Sequence, residues 1–365
     1  MSAPAPRPGI LDISPYVGGE AHAPGADRLI RLASNEGALG PSPRAMEAYR
    51  QATAEIHRYP DGGSTQLREG LARHHGLDAA RIVCGTGSDE LLQLLAKCYA
   101  GPDDEILYSA HGFLVYPIAA KAVGATPVAA PETGLKADVD ALLARVTERT
   151  KILFLANPNN PTGSYLTTEE VRRLHAGLPD HVLLVIDAAY AEYVDRPDYT
   201  AGAELVEEFG NVVMTRTFSK LYGMGGLRLG WAYCPDPVAD VLNRVRGPFN
   251  VNSAAQVAGV AALEDAEFIE RSRRHNEIWR EWLAARLQEL GLTVHPSIAN
   301  FLLVSFAEVK GGNGVAEAAR QFLKSRGILV RQMGAYGLPD CLRMSVGTED
   351  EMRAVVDTLA QFLRS

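Results

Sequence analysis

Between residues 65 and 233 short β-rich runs alternate with helical stretches, and this alternation restricts the chain to few folds. The runs lie at 81–84, 105–108, 126–129, 151–156, 182–186, 211–215 and 229–233, with helical stretches such as 89–99 and 139–146 between them. Strands that alternate with helices bury their apolar faces by forming a mostly parallel sheet covered on both sides. The run at 182–186 reads Val-Leu-Leu-Val-Ile, uninterrupted as expected of a strand buried on both faces. The expected fold class is therefore α/β.

After Pro248 the pattern changes. Helices are expected at 256–263, 267–290, 315–325 and 349–363, with strands at 301–305, 328–331 and 342–345. This is an α+β arrangement and reads as a second, smaller domain. Residues 1–45 are rich in Pro and Gly and read as an arm attached to that smaller domain. The expected division is 1–45 arm, 46–253 large domain and 254–365 small domain, two domains being ordinary for 365 residues.

Acidic residues outnumber basic ones, 44 to 36, and no run of like charges is long enough to hold a polyanion, so nucleic acid and anionic membrane are not expected partners. No apolar run approaches the roughly 20 residues of a membrane span, and the N-terminus lacks the apolar stretch of a signal peptide. The four cysteines are scattered without a C-x-x-C pair. That favours neither a disulfide framework nor a zinc site and fits a reducing cytoplasm.

In open α/β sheets ligands sit beyond the carboxyl ends of the strands, and four such places carry chemistry. Cys84-Gly85-Thr86-Gly87-Ser88-Asp89-Glu90 follows a strand and opens a helix, where glycines and free N–H groups suit an anion. A dinucleotide fingerprint would need Gly at 90, where Glu90 stands. The ordinary alternative is a plain turn with Ser88 or Asp89 as the helix cap. Asn157-Pro158-Asn159-Asn160-Pro161-Thr162-Gly163 is a rigid loop that can present side-chain amides. Asp187 ends the 182–186 run, with Tyr190 close behind and no basic residue nearby in sequence; a protonated pyridine nitrogen would serve as its partner. Thr217-Phe218-Ser219-Lys220, followed by Arg228 and Gly230, offers a lysine among phosphate-binding side chains. Each segment alone has an ordinary structural explanation. Together, in order and at strand ends, they match one ligand that has a phosphate, a basic ring nitrogen, a ring hydroxyl and an aldehyde.

This ordered set, G-T-G-S-D-E, N-P-N-N-P-T-G, D-A-A-Y and T-F-S-K-x7-R-x-G, resembles the fold-type I aminotransferases that depend on pyridoxal 5'-phosphate. Within them the chain looks like the histidinol-phosphate aminotransferases. The segments that carry this are Ser14-Pro15-Tyr16-Val17-Gly18, Leu32-Ala33-Ser34-Asn35-Glu36, His57-Arg58-Tyr59-Pro60-Asp61, Asn300-Phe301, Val330-Arg331 and Leu342-Arg343-Met344-Ser345-Val346-Gly347.

The resemblance implies a role for each matched position. Lys220 would carry the cofactor as a Schiff base and then shuttle a proton, and Asp187 would hold the pyridinium protonated. Asn160 and Tyr190 would bond the ring oxygen and Phe113 would stack on the ring. Ser88, Asp89, Thr217, Ser219, Arg228 and the N–H groups at Gly87 and Ser88 would form the phosphate site. Tyr59 would reach the cofactor phosphate of a neighbouring subunit, which implies a homodimer with shared sites. Arg343 would grip the substrate α-carboxylate, while Tyr16, Asn35 and Arg331 would face its distal end, and no metal is implied.

The implied reaction is reversible amino transfer between L-histidinol phosphate and 2-oxoglutarate, as in histidine biosynthesis. An aromatic amino-acid aminotransferase or a phospho-amino-acid decarboxylase of the same fold are the alternatives, and Lys220 and Asp187 argue against a non-enzymatic regulator. The family usually has A-S-N-E-N-P where this chain has Ala33-Ser34-Asn35-Glu36-Gly37-Ala38, and P-T where it has His111-Gly112. Both departures lie where the substrate side chain is expected.

Overall fold

The computed structural model describes residues 4–23, 28–310 and 314–364. In chain order its elements are β1 (Ile30–Leu32), α1 (Pro43–Ala52), α2 (Thr65–His75), β2 (Ile82–Gly85), α3 (Ser88–Tyr99), β3 (Glu105–Ser109), α4 (Val115–Val123), β4 (Thr126–Ala130), the hairpin β5 (Glu132–Thr133) and β6 (Lys136–Ala137), α5 (Val139–Leu143), β7 (Thr150–Ala156), α6 (Thr168–Ala176), β8 (Leu183–Asp187), α7 (Ala203–Glu208), β9 (Val212–Thr217), β10 (Gly230–Tyr233) and α8 (Asp236–Val245). There follow α9 (Ser253–Leu263), α10 (Ala266–Glu289), β11 (Thr293–Val294), β12 (Phe301–Ser305), α11 (Val315–Ser325), β13 (Ile328–Gln332), β14 (Cys341–Ser345) and α12 (Glu349–Phe362).

The large sheet has seven strands in the order β2-β10-β9-β8-β7-β3-β4. From β9 to β4 neighbours are parallel, and β10 runs antiparallel to both β9 and β2. Alternate residues of the central strands feed two separate cores. Leu153, Leu155, Leu184 and Ile186 face one, and Ile152, Phe154, Leu183 and Val185 face the other. That is the physical reason the runs lack polar interruptions: both faces are covered.

The second sheet, β1-β13-β14-β12-β11, packs against α10, α11 and α12 through Leu283, Leu287, Leu323, Val355 and Leu359. Its edge strand β1 comes from the N-terminal arm and pairs in parallel with β13, Ile30 opposite Ile328. The arm is thus partly strand, and α1 begins within it, capped by the Ser42 side chain accepting from the Ala45 N–H at 3.1 Å with Pro43 in its first turn.

A division at 253/254 cuts α9 away from its packing partners. Ala255, Ala258 and Ala262 of α9 are buried in the large-sheet core beside α1 and α2, because small residues let these helices approach closely. The long α10 is the first element after Pro248 whose apolar positions, Leu283 and Leu287, belong to the second sheet's core. Among the described residues no helix is long and apolar enough to cross a membrane.

Candidate active site

The carboxyl ends of β7, β8 and β9 open onto a cleft of about 420 Å³ between the two sheets. Tyr16, Asn35, Ser88, Asp89, Phe113 and Asn160 border it, as do Asp187, Tyr190, Thr217, Ser219, Lys220 and Arg228, with Arg331 and Arg343 on the small-sheet side. Gly87 sits immediately behind Ser88. Tyr59 is elsewhere: it is 82% exposed and stacks on Phe249 with ring centroids 4.8 Å apart. In one chain it has no part in the cleft.

Lys220 follows β9 after a tight corner in which the Thr217 hydroxyl donates to Ser219 Oγ at 3.0 Å and accepts from the Ser219 N–H at 3.1 Å. Its Nζ donates to the Ser34 carbonyl at 3.3 Å. Burial, aided by Arg343 and Arg228, lowers the Lys220 pKa to about 8. An ammonium loses hydration energy on burial, so the neutral, nucleophilic amine is favoured.

Asp187 ends β8 and is buried. The Tyr116 hydroxyl donates to its Oδ2 at 2.9 Å, and the Thr215 hydroxyl lies 3.4 Å from Oδ1. Burial raises the Asp187 pKa to about 6, while those two hydrogen bonds pull the other way. An acceptor of this kind is completed by a positively charged N–H.

Ser88, Thr217, Ser219 and Arg228 border the same cleft as a candidate anion cradle. Gly87 caps α3 at φ 81, a left-handed value suited to glycine, so neither Ser88 nor Asp89 is the cap. A side chain at Gly87 would come within 2.6 Å of Arg228 Nη2, and a Cβ at Gly230 would run into the Ser88 backbone N. Backbone and guanidinium are therefore packed as closely as glycine permits. Arg228 is held by Asp89 Oδ2 at 3.3 Å and by the Gly225 carbonyl at 3.0 Å. Thr217, Ser219, Arg228 and the α3 N-terminus converge on one spot, which suits a phosphate dianion.

Arg343 on β14 is buried, and its guanidinium donates to Asn160 Oδ1 and, at 2.7 Å, to the Ala33 carbonyl. Its Nε is buried with no partner among the described residues. A carboxylate in the cleft would satisfy it. Arg331 donates to the Val17 carbonyl at 2.6 Å and lies 5.7 Å from the Tyr16 ring centre. Beyond Tyr16 and Arg331 the cleft continues into a second space of about 630 Å³ under the arm. Asn35 borders the cleft, yet its amide nitrogen is spent on the Tyr190 hydroxyl, 2.9 Å away, rather than aimed at the cleft's outer end.

The family's sequence pattern decides what this cleft belongs to: the model for "Aminotransferase class I and II" matches residues 27–359. The chain belongs to that family. The aminotransferase is 68% identical to a histidinol-phosphate aminotransferase of Rhodospirillum centenum over the whole of both chains. It is 62% identical to one of Paramagnetospirillum magneticum, covering all of this chain and 99% of the other. Among solved structures, a histidinol-phosphate aminotransferase of Sinorhizobium meliloti in complex with pyridoxal-5'-phosphate superposes with a TM-score of 0.92 at 30% identity, covering 100% of this chain and 99% of that one. The α/β fold-type I expectation agrees with this likeness.

Sequence reasoning assigns no role to Tyr116 or to the carbonyls of Ala33 and Ser34. The carbonyls carry no sequence signal. Tyr116 has one: it lies three residues after Phe113, one helical turn along the entrance of α4, and their rings meet edge to face at 6.0 Å.

Proposed function

We propose that this aminotransferase holds pyridoxal 5'-phosphate on Lys220 and moves an amino group reversibly between L-histidinol phosphate and 2-oxoglutarate. The observation that carries the cofactor reading is the meeting, in one cleft, of a half-buried lysine of lowered pKa, a buried aspartate, and Ser88, Thr217, Ser219 and Arg228 as anion-binding groups. The bound cofactor supplies an electron sink for the carbanion left when a proton leaves the substrate α-carbon.

The chain's own residues do the rest. Asp187, held by Tyr116, pairs with the ring nitrogen and keeps it protonated. Asn160 and Tyr190 bond the ring oxygen, and Phe113 covers the ring. Ser88, Thr217, Ser219 and Arg228 hold the phosphate with the N–H groups at Gly87 and Ser88, and Asp89 aims Arg228. Lys220 would hold the cofactor through Nζ and, as the free amine, would be the base that takes and carries the substrate α-proton. Arg343 binds the carboxylate of glutamate and 2-oxoglutarate. In histidinol phosphate a phosphate-bearing carbon replaces the α-carboxylate, so Arg343 and Arg331 serve both partners. Tyr16 covers the outer end.

A second copy of the chain completes the site in this reading. Tyr59 stacks on Phe249, and these rings and the nearby-in-sequence Ile56 are 82%, 45% and 78% accessible, which supports burial against a partner. Tyr59 then reaches the other subunit's phosphate cradle. The four scattered, unpaired cysteines support a cytoplasmic setting.

The full-length relatives support histidinol phosphate as donor. The test is a single-turnover comparison. Protein loaded with pyridoxal 5'-phosphate is mixed separately with histidinol phosphate, phenylalanine and tyrosine, and loss of the visible absorbance is followed. A kcat/KM for phenylalanine above that for histidinol phosphate overturns the substrate, and CO₂ release without a keto acid points to a decarboxylase.

A further inference from the structure

Asn35 is buried, yet its backbone is left-handed, at φ 56. Such a conformation is uncommon outside glycine, though Asn tolerates it best. It is held from several sides. The Asn35 N–H donates to Ser345 Oγ at 2.9 Å, and Asn300 Nδ2 donates to the Asn35 carbonyl at 3.1 Å. The Ser345 hydroxyl, having accepted there, donates to Asn35 Oδ1 at 3.2 Å.

That last bond determines which way the amide faces. With Oδ1 receiving a proton from Ser345, the NH₂ end turns to Tyr190, and Nδ2 lies 2.9 Å from the hydroxyl. An amide NH₂ donates and does not accept. The Tyr190 oxygen is therefore the acceptor in this bond, and its own proton points elsewhere. Asn35, Ser345 and Tyr190 are 1%, 2% and 4% accessible, so bulk water does not scramble this order. The charged and titratable groups facing Tyr190 are Arg343 and Lys220 beside it, Asp187, and the phenols of Tyr336, Tyr193 and Tyr116.

We propose that Asn35, fixed by Ser345, is a positioning residue that orients the Tyr190 proton into the cleft, so that Tyr190 can only donate to the oxygen anion of the bound ligand. This rests on the cofactor reading above and deepens it. The small sheet reaches across to set the polarity of a hydrogen bond made by the large one. A donor onto that ring oxygen stabilises its anion and weakens the anion's hold on the proton of the neighbouring lysine-linked nitrogen. Tyr190 donation thus lowers the pH at which the visible band of the loaded protein titrates.

The test is a pH titration of that band in the protein loaded with pyridoxal 5'-phosphate. Tyr190→Phe removes the donor and raises the midpoint, by about one pH unit for one charge-assisted hydrogen bond. Asn35→Asp presents a carboxylate, which takes the Tyr190 proton for itself; the midpoint rises by a similar amount or more. Asn35→Gly keeps the left-handed backbone without strain and leaves Tyr190 free to turn either way, giving a smaller rise. The double variant separates the charge introduced by Asn35→Asp from reversal of the proton. In the Tyr190→Phe background there is no proton to reverse, so Asn35→Asp adds only its charge effect and the further shift is smaller than in the native background.

A general loss of packing would not produce the order Asp above Gly above native. Equal shifts from Asn35→Asp in the two backgrounds, or an unmoved midpoint in Asn35→Asp while Tyr190→Phe moves it, overturn the proposal alone. Native protein that gives no such band overturns the cofactor reading, and the proposal with it. If Asn35→Asp does not fold, Asn35→Gly with an unmoved midpoint is the overturning result.

Discussion

The Tyr116 hydroxyl donates to Asp187 Oδ2 at 2.9 Å, and the Tyr116 ring stacks on Phe154 with centroids 4.8 Å apart. One residue of α4 thereby ties the aromatic wall of the cleft to the carboxylate at the end of β8. Tyr116→Phe keeps the stack and removes only the donor. The lost bond favoured the carboxylate, so the Asp187 pKa rises above its value of about 6. In the cofactor-free protein the titration midpoint of the Asp187 carboxyl, followed by NMR, is expected to move up by about one pH unit. A midpoint that stays where it is in the native protein contradicts the role given to Tyr116.

Lys220 attacks only as the free amine. With its pKa lowered to about 8, roughly a tenth of it is neutral at pH 7 and most of it at pH 9. Depression by burial means that the reactive form is gained as pH rises. Stopped-flow capture of pyridoxal 5'-phosphate by the free protein should accelerate about tenfold from pH 6 to pH 7 and level off above pH 8. A rate still climbing at pH 10 would place the amine in water.

Arg343 binds through a planar fork, two arms of which already hold Asn160 and the Ala33 carbonyl. Lysine keeps the charge and loses the fork. Arg343→Lys is expected to lower kcat/KM by about a hundredfold in both half-reactions, since both partners present an anion there. Single-turnover rates for each half check this, and an effect confined to one half refutes shared binding.

Gly230 lies where a Cβ would strike the Ser88 N. Gly230→Ala must push β10 away from the start of α3, a strain of about 1–3 kcal/mol. A lower Tm and weaker retention of pyridoxal 5'-phosphate in equilibrium dialysis are expected together. Unchanged retention would mean that the cradle is not where the phosphate sits.

Tyr59 serves as the marker of assembly. Light scattering should give twice the chain mass. Tyr59→Phe should preserve that mass while weakening cofactor binding about three- to tenfold, the loss of one hydrogen bond to phosphate. A monomer that binds the cofactor at full affinity removes the shared-site reading.

Much of this molecule is written locally. The buried strands β7 and β8 are legible because a strand covered on both faces must be apolar throughout, and the ends of β8 and β9 mark Asp187 and Lys220 because open sheets bind at those ends. Strand β1 is not legible: Ile30–Leu32 is three residues long, and its partner β13 begins at Ile328. Nor is the attachment of α9, whose alanines suit a close helix contact in either domain.

Local sequence was enough to specify the residue types that line the cleft, the strand ends that carry them and the glycines that let the backbone pack closely there. These follow from covalent neighbours, periodicity and the steric freedom of single residues. It took the folded chain to bring Asn35 against Tyr190 and Ser345, the latter 310 residues away, to set Tyr116 behind Asp187, and to leave Tyr59 outside its own cleft. The physical reason is that a hydrogen bond's direction depends on which groups packing brings within about 3 Å, and packing between the two sheets leaves no periodic trace in either segment.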